Sequence, residues 1–372
     1  MADTFKVIPP RIAPVNAEGF VAWARVNLFG SPLNSITTLA LLAFFVWLLP
    51  TALNWLVFKA VWVPNFDTCQ AARGSGACWG VVAEKYRIII FGRYPLDQQW
   101  RPEAAMLALV GLLVASCVRP FWKPWLALLW AAVLALFFAL MGGGGLLGVP
   151  TGLSPVPTDR WGGLPLTIML ATLSIVFAFP IAVLVALGRR SRLPAIRTFC
   201  VIYVELIRGV PLISVLFMAS FMFPLFMPPG TQIDVLLRVL VGITLFAAAY
   251  MAEIVRGGLQ AIPKGQLEAA DTLGLSYWQA QRKIVLPQAL ALVVPGIMNN
   301  FISLFKDTSL VTIVSLYDLT GALQLALGDA DWRKFFLEGQ LFVAAIYFIF
   351  CFAMSRYSQW IERRLNTGTR RN

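Results

Sequence analysis

The chain has 372 residues, 59% of them hydrophobic and 13% charged, with 30 Lys and Arg against 18 Asp and Glu and no His. A composition this apolar, with a mean hydropathy of +0.75, excludes a soluble globular protein and a disordered chain and leaves an integral membrane protein. The formal charge of +12 does not call for nucleic acid, because in a membrane chain Lys and Arg mark the loops retained in the cytoplasm.

In chain order, the apolar runs predict spans near 36–58, 104–118, 124–147, 166–188, 210–227, 235–255, 288–305 and 339–355. Each approaches the roughly 20 residues that carry a helix across about 30 Å of hydrocarbon, and none alternates like a barrel strand. The fold class is therefore an all-α polytopic membrane protein of about eight transmembrane helices. No basic stretch, short apolar run and small-residue cleavage site precede Ser35, so the first span is expected to act as its own targeting signal.

Orientation follows from the basic residues. With both termini in the cytoplasm, 19 of the 30 Lys and Arg fall inside, notably in GRRSRLPAIR (188–197), the 256–287 loop and the tail IERRLNTGTRR. Of the 11 outside, six lie in the single loop 59–103, whose KYRIIIFGRYP stretch fits an exterior position poorly.

Catalytic constellations are scarce. Without His the commonest general base and zinc ligand is missing. Cys117, Cys200 and Cys351 lie in or beside apolar segments and read as small buried hydrophobes, and no metal motif is present. Cys69 and Cys78 lie in the loop expected to face the oxidising side, where they are either a disulfide or two free thiols. MGGGGLLG (141–148) lacks the Lys-Ser/Thr ending of a phosphate-binding loop and reads as close packing or a flexible helix end. No cofactor or metal is expected in this chain.

One segment stands apart. Arg256, Lys264, Glu268, Asp271, Arg282 and Lys283 keep 256–287 in water, since each would cost a few kcal/mol at the bilayer centre. Pro263 suits a helix start, Ala269, Ala270 and Leu273 give a narrow small-and-apolar face, and Gly274 suits a left-handed C-terminal cap. Ser276 with Gln279 three residues on predicts a capping box opening a second helix, and Pro287 starts the next span. The outcome is two short helices with a tight corner, held at both ends by transmembrane helices.

EAADTLGLSYWQAQRKIVLP (268–287) resembles the EAA loop of permease subunits of ATP-binding cassette (ABC) importers. Glu268, Ala269, Ala270, Gly274, Ile284, Leu286 and Pro287 all fall in its register. The resemblance implies a coupling helix that docks on a separate ATPase and transmits its closure to the membrane helices. YVELIRGVPL (203–212), AEIVRGGLQAIPKGQLEAADTLG (252–274) and NNFISLFKDTSL (299–310) are similar to the polar amino-acid permeases of the histidine, glutamine and general L-amino-acid systems. With FGRYPLDQQWRP (91–102), the N-terminal part resembles the M-type subunit of the general system. The family then implies an extension of about three spans with an extracytoplasmic loop (1–160) and a five-span permease core (161–372). It further implies import of L-amino acids by alternating access in the bacterial inner membrane. The implied partners are an ABC ATPase dimer holding ATP and Mg, a second homologous permease and a periplasmic amino-acid-binding protein.

Polar residues near the spans have two readings each. Glu205 and Arg208, like Glu253 and Arg256, are three apart and read as snorkelling interfacial pairs, with gating or a subunit interface as the second reading. Asn299, Ser303 and Lys306 follow i, i+4, i+7 along one helix face, and Asn300 adds an amide; they line a solute path or bond a neighbouring helix or subunit. An ion-driven secondary transporter, a membrane-embedded enzyme and a non-translocating assembly subunit are the competing functions. The first would want ionisable groups at mid-membrane and the second paired acid, base or metal groups at one depth.

Overall fold

The computed structural model describes residues 19–145 and 152–366, so the end of the expected span 124–147 and part of MGGGGLLG lie outside the described residues. Two compact units are present, divided after Gly80.

The first unit holds α1 (Phe20–Asn27), α2 (Pro32–Leu53) and α3 (Phe66–Ala71). Ser31 caps α2, its hydroxyl accepting from the Asn34 amide, and Pro32 occupies the first turn where a missing N–H costs nothing. The helical run reaches Phe58 and is long and apolar enough to cross a membrane. After it the chain folds back on itself. Cys69, Ala77 and Cys78 are buried, and Trp79 donates its indole N–H to the Leu56 carbonyl at 2.8 Å.

The second unit contains α4 (Gly80–Phe91), α5 (Trp100–Cys117), α6 (Trp125–Gly142), α7 (Gly163–Gly188), α8 (Pro194–Arg208), α9 (Leu212–Phe217), α10 (Val235–Ala261), α11 (Lys264–Thr272), α12 (Tyr277–Ala280), α13 (Leu286–Asp307), α14 (Leu319–Ala326) and α15 (Phe336–Asn366). Its centre is α7, apolar all round and fully buried from Gly163 to Ser174, as a helix without a polar face must be. Ala178, Ala182 and Ala186 recur at four-residue spacing on α7, and Ala247, Ala248 and Ala252 are buried on α10, its main neighbour. Small residues let helix backbones approach where no water drives association.

Contacts at the helix ends fix the directions. Thr158, just before α7, bonds Asp234, the N-cap of α10. At the opposite ends, Arg189 meets Glu253. The helices α7 and α10 therefore run parallel, and the chain between them must cross once. That crossing lies within the expected span 210–227 and is shorter. The structure has α8 bent by 105° from a helical run of only 15 residues, Leu212–Phe226, whose roughly 22 Å fall short of the hydrocarbon thickness. The chain then turns at Pro228–Thr231, the Thr231 amide donating to Pro228 O at 3.1 Å, before Asp234 caps α10. The break has a sequence cause: Gly209 is followed by Pro211, which holds Val210 out of helical geometry and supplies no N–H. Among the described residues seven helices are long and apolar enough to cross a membrane, eight with the bent pair counted as one span, in agreement with the sequence.

Two prolines shape the helices that follow. Pro224 and Pro287 each sit two residues after a π-helical turn, Met218–Met222 and Gln281–Val285. A proline ring crowds the carbonyl four residues earlier and leaves it without a donor, and a widened turn relieves the crowding. For Pro224 that carbonyl belongs to Ser220, and the Arg238 guanidinium donates to it instead.

Near the Gly163 end of the bundle, Arg101 of α5 is fully buried and closes the end of α6. It donates to the Leu140 carbonyl at 2.7 Å, to Ser154 O at 2.9 Å and to the Gln98 side chain at 2.6 Å. Tyr94 donates to Met141 O at 2.9 Å, and burial pushes its phenol up to about 12 against the opposing Arg101 charge.

Candidate functional site

The 262–285 segment projects from the ends of α10 and α13 as two helices at a corner. The C-terminus of α11 is closed by a Schellman pair: Leu275 N–H donates to Ala270 O at 3.1 Å and Gly274 N–H to Asp271 O at 3.0 Å. Gly274 supplies the left-handed residue this requires, with φ 69°. No atom lies within 4 Å of where its β-carbon would stand, so a side chain there would meet backbone strain and open surroundings rather than a clash. Ser276 and Gln279 form the capping box, the Ser276 amide reaching Gln279 Oε1 at 2.9 Å.

Within the motif the residues divide. Ala270 is fully buried, with Ala280 and Val285, so its smallness serves the fold of the loop itself. Glu268, Ala269 and Pro287 are exposed and Ile284 and Leu286 half-buried. The outer surface also carries side chains the motif does not name: Leu273, Tyr277 and Trp278 are 75%, 53% and 65% exposed. Three large apolar groups in an otherwise charged, water-facing segment form a surface that calls for a partner. Their signal in the sequence was an apolar cluster flanking Gly274 on positions a surface helix would make polar.

Both ends of the projection are anchored. A β-carbon at Gly258 of α10 would come within 2.6 Å of Ala289 O on α13, so only glycine permits this approach. Gln288 donates to Gln266 across the two limbs at 3.2 Å. Arg190 donates to the Leu259 carbonyl at 2.8 Å. The projection is thus fixed to α10 and α13 at both its ends.

The two Glu/Arg pairs belong to one cluster. Arg189, at the C-cap of α7, pairs with Glu253 of α10 at 2.6 Å and with Glu205 of α8 at 3.0 Å. Glu253 also accepts from Nε and Nη2 of Arg256 and lies 3.9 Å from Arg208, whose guanidinium stands over the Tyr250 ring. Glu205 and Arg208 do not pair with each other; Arg189, which the sequence reading did not single out, joins three helices. Its position after a 26-residue apolar run was the available signal.

On α13, Asn299, Ser303 and Lys306 are all exposed, whereas Asn300 is half-buried with its Oδ1 enclosed. Only Lys306 reaches the groove of about 490 Å³ between α13 and α15, which Ser309, Thr320, Gln340, Tyr347 and Cys351 also line. Behind Tyr347 lies Asp318, fully buried, accepting from Tyr347 Oη at 2.8 Å, Thr312 Oγ1 at 3.1 Å and the Gly321 amide at 2.9 Å. Burial pushes its carboxyl above the ordinary range, against the lowering effect of those bonds. Asp318 was not legible beforehand, because its environment is made by α7, α14 and α15 together.

Cys69 and Cys78 are joined as a disulfide, their Cα atoms 5.4 Å apart. Among the described residues no group of His, Cys, Asp and Glu could hold a metal ion.

Comparison with known proteins gives the relatives of this chain. The sequence model of the family described as "Binding-protein-dependent transport system inner membrane component" matches residues 178–367. The inner membrane amino-acid ABC transporter permease protein YhdY of Escherichia coli is 47% identical over 366 residues, 97% of each chain. The glutamate/glutamine/aspartate/asparagine transport system permease protein BztC of Rhodobacter capsulatus is 39% identical over the whole of both chains. A shorter relative, the probable glutamine ABC transporter permease protein GlnP of Bacillus subtilis, is 34% identical over 204 residues, 55% of this chain and 92% of that protein.

Proposed function

The chain belongs to the binding-protein-dependent transport system inner membrane component family, and on that premise we propose that it imports L-amino acids through a coupling loop at 256–287. It is a multi-pass permease subunit of an ABC importer, and ATP hydrolysis belongs to a separate chain. The observation that carries the coupling assignment is the projection itself, an exposed Leu273, Tyr277 and Trp278 surface on a Schellman-closed corner clamped to α10 and α13.

In this reading Glu268, Ala269 and Gly274 face the ATPase, Ala270 keeps the corner compact, and Ile284, Leu286 and Pro287 hand the motion to α13. Closure of the ATPase dimer around ATP and Mg moves the projection, and the binding protein acts on the opposite end of the bundle. The helices are thereby biased between two states. The amino-acid substrate is supported by the relatives YhdY, an amino-acid ABC transporter permease, and BztC, a glutamate/glutamine/aspartate/asparagine transport system permease. The division into an extension (1–160) and a core (161–372) is supported by the shorter relative, which aligns over nearly all its own length to about half of this chain.

The second permease is a homologous, non-identical subunit. Asn299, Ser303 and Lys306 are exposed within a span, where lipid contact is costly, so this face lines the solute path or the neighbouring subunit. Both termini are cytoplasmic in this reading, which the distribution of basic residues favours, and the Cys69–Cys78 pair then lies on the oxidising side. Affinity purification of the tagged chain in mild detergent, with identification of co-purifying subunits, tests the assembly. Recovery of an ABC ATPase and a second permease agrees with it, and recovery of the chain with neither overturns it.

A further inference from the structure

The helix α8 does not behave as part of a span. It is bent by 105° from the Leu212–Phe226 run that makes the crossing, so its axis lies near the membrane plane. At about 100° per residue its side chains divide into three faces. Cys200 and Val204 are buried against the bundle. Ile196, Phe199, Ile202 and Leu206 form a second face, exposed by 45%, 74%, 58% and 64%. Arg197, Glu205 and Arg208 form the third, on the side opposite that apolar row.

The depths of the contacts agree. Tyr203, at the edge of the apolar face, donates to Leu245 O at 2.6 Å, eight residues and about 12 Å along α10 from Glu253. Glu205, on the polar face, reaches Arg189 at the helix ends. The apolar row therefore points toward the bilayer interior and the polar face toward water. The charges at the N-terminal end are unequal in use. Arg189 is paired with carboxylates and Arg190 with a carbonyl, while Arg192 and Arg197 are exposed and, among the described residues, make no ion pair.

We propose that α8 is an interfacial helix whose apolar row sits among acyl chains and whose Arg192 and Arg197 bind the phosphate headgroups of anionic phospholipid. Charge complementarity selects this occupant: an amphipathic helix with free guanidinium groups at headgroup depth is the arrangement that holds an anionic lipid surface. Each basic residue near such a surface is worth about fivefold in partitioning. The consequence reaches the transporter's centre, because Glu205 of the same helix is bound to Arg189 in the cluster joining α7 and α10.

The test uses the complex purified with its own subunits, examined by native mass spectrometry while phosphatidylglycerol or phosphatidylcholine is titrated in. Lipid chemistry rather than leaflet is read, so the result does not depend on the orientation of the chain. The intact complex is expected to retain phosphatidylglycerol over phosphatidylcholine. Arg192→Gln with Arg197→Gln should lose that preference by about 25-fold, each single change by about fivefold, while Arg192→Lys with Arg197→Lys keeps it. A photoreactive benzoylphenylalanine at position 199 should cross-link to lipid. A doubly neutral variant that binds phosphatidylglycerol like the parent overturns the headgroup site. A position-199 adduct to a protein chain overturns the interfacial assignment and gives the apolar row to a neighbouring subunit.

Discussion

Arg189, at the end of α7, and Glu253, within α10, meet at 2.6 Å, and this one contact ties together the two parallel helices at the core of the bundle. Arg189 is 12% exposed and Glu253 24%, so the pair is shielded enough to matter, unlike most surface ion pairs. Arg189→Ala leaves Glu253 with Arg256 and Arg208 and should cost about 1–2 kcal/mol. Arg189→Glu places three carboxylates together and should lower complex stability and uptake far more. The reciprocal exchange, Arg189→Glu with Glu253→Arg, should recover part of both. Thermal unfolding of the purified complex and uptake in proteoliposomes measure this, and the absence of any recovery would separate the two residues.

Asp318 offers a pH signature outside the spans. Its carboxyl is raised in the folded protein by burial, so above the ordinary aspartate value of about 4 the unfolded chain releases a proton that the folded chain retains. Stability contributed at this site is full below that value and falls as pH rises toward the raised one. Asp318→Asn preserves the acceptor for the Gly321 amide and removes the titration. Its complex should melt with a flatter dependence on pH across the acidic range, while Asp318→Ala loses the helix cap and about 1 kcal/mol. Identical pH slopes for Asp318→Asn and the parent would remove the titration from Asp318.

Much of this molecule was legible in sequence for a physical reason. Spans are written in long apolar runs, and the corner at Gly274 in local chemistry: a left-handed glycine, a capping box and two prolines act over a few residues. What was not legible depends on meetings between distant segments. Arg189 joining Glu205 and Glu253, and Asp318 beneath Tyr347, are products of packing. The expected span 210–227 stands as the helical run Leu212–Phe226, but its hydropathy did not register that the chain bends sharply at Pro211 or that α8 before it has a wet side.

The polar face of α13 is tested by bulk. Ser303→Leu and Asn300→Leu should impair uptake without preventing assembly, and because Ser303 is exposed and Asn300 half-buried, Asn300→Leu should cost more stability. Lys306→Met should change substrate preference through the groove it shares with Tyr347. Parental kinetics and preference in all three would make this face packing alone.

The disulfide gives a sidedness test. Cys69 and Cys78 should resist an impermeant thiol reagent on intact cells until reductant is added, after which both label. Ready labelling without reductant would remove the bond, and because both thiols are buried in the folded loop, labelling after reduction in inverted membrane vesicles but not on intact cells would place the loop on the other side.

The measurement closest to the central claim is ATP hydrolysis stimulated by the loaded binding protein, recorded with uptake in the same proteoliposomes, for Gly274→Asp. The φ of 69° at Gly274 makes any side chain there strained by about 1 kcal/mol or more, and the open space around it means the new carboxylate points outward, toward the docking partner. Gly274→Ala should keep a substantial part of coupling. Gly274→Asp should insert and pair with its fellow permease yet lose most of the stimulated hydrolysis and uptake together. Normal complex yield, stimulation and transport in Gly274→Asp would contradict the assignment of the 256–287 loop as the element that transmits ATPase closure to the membrane.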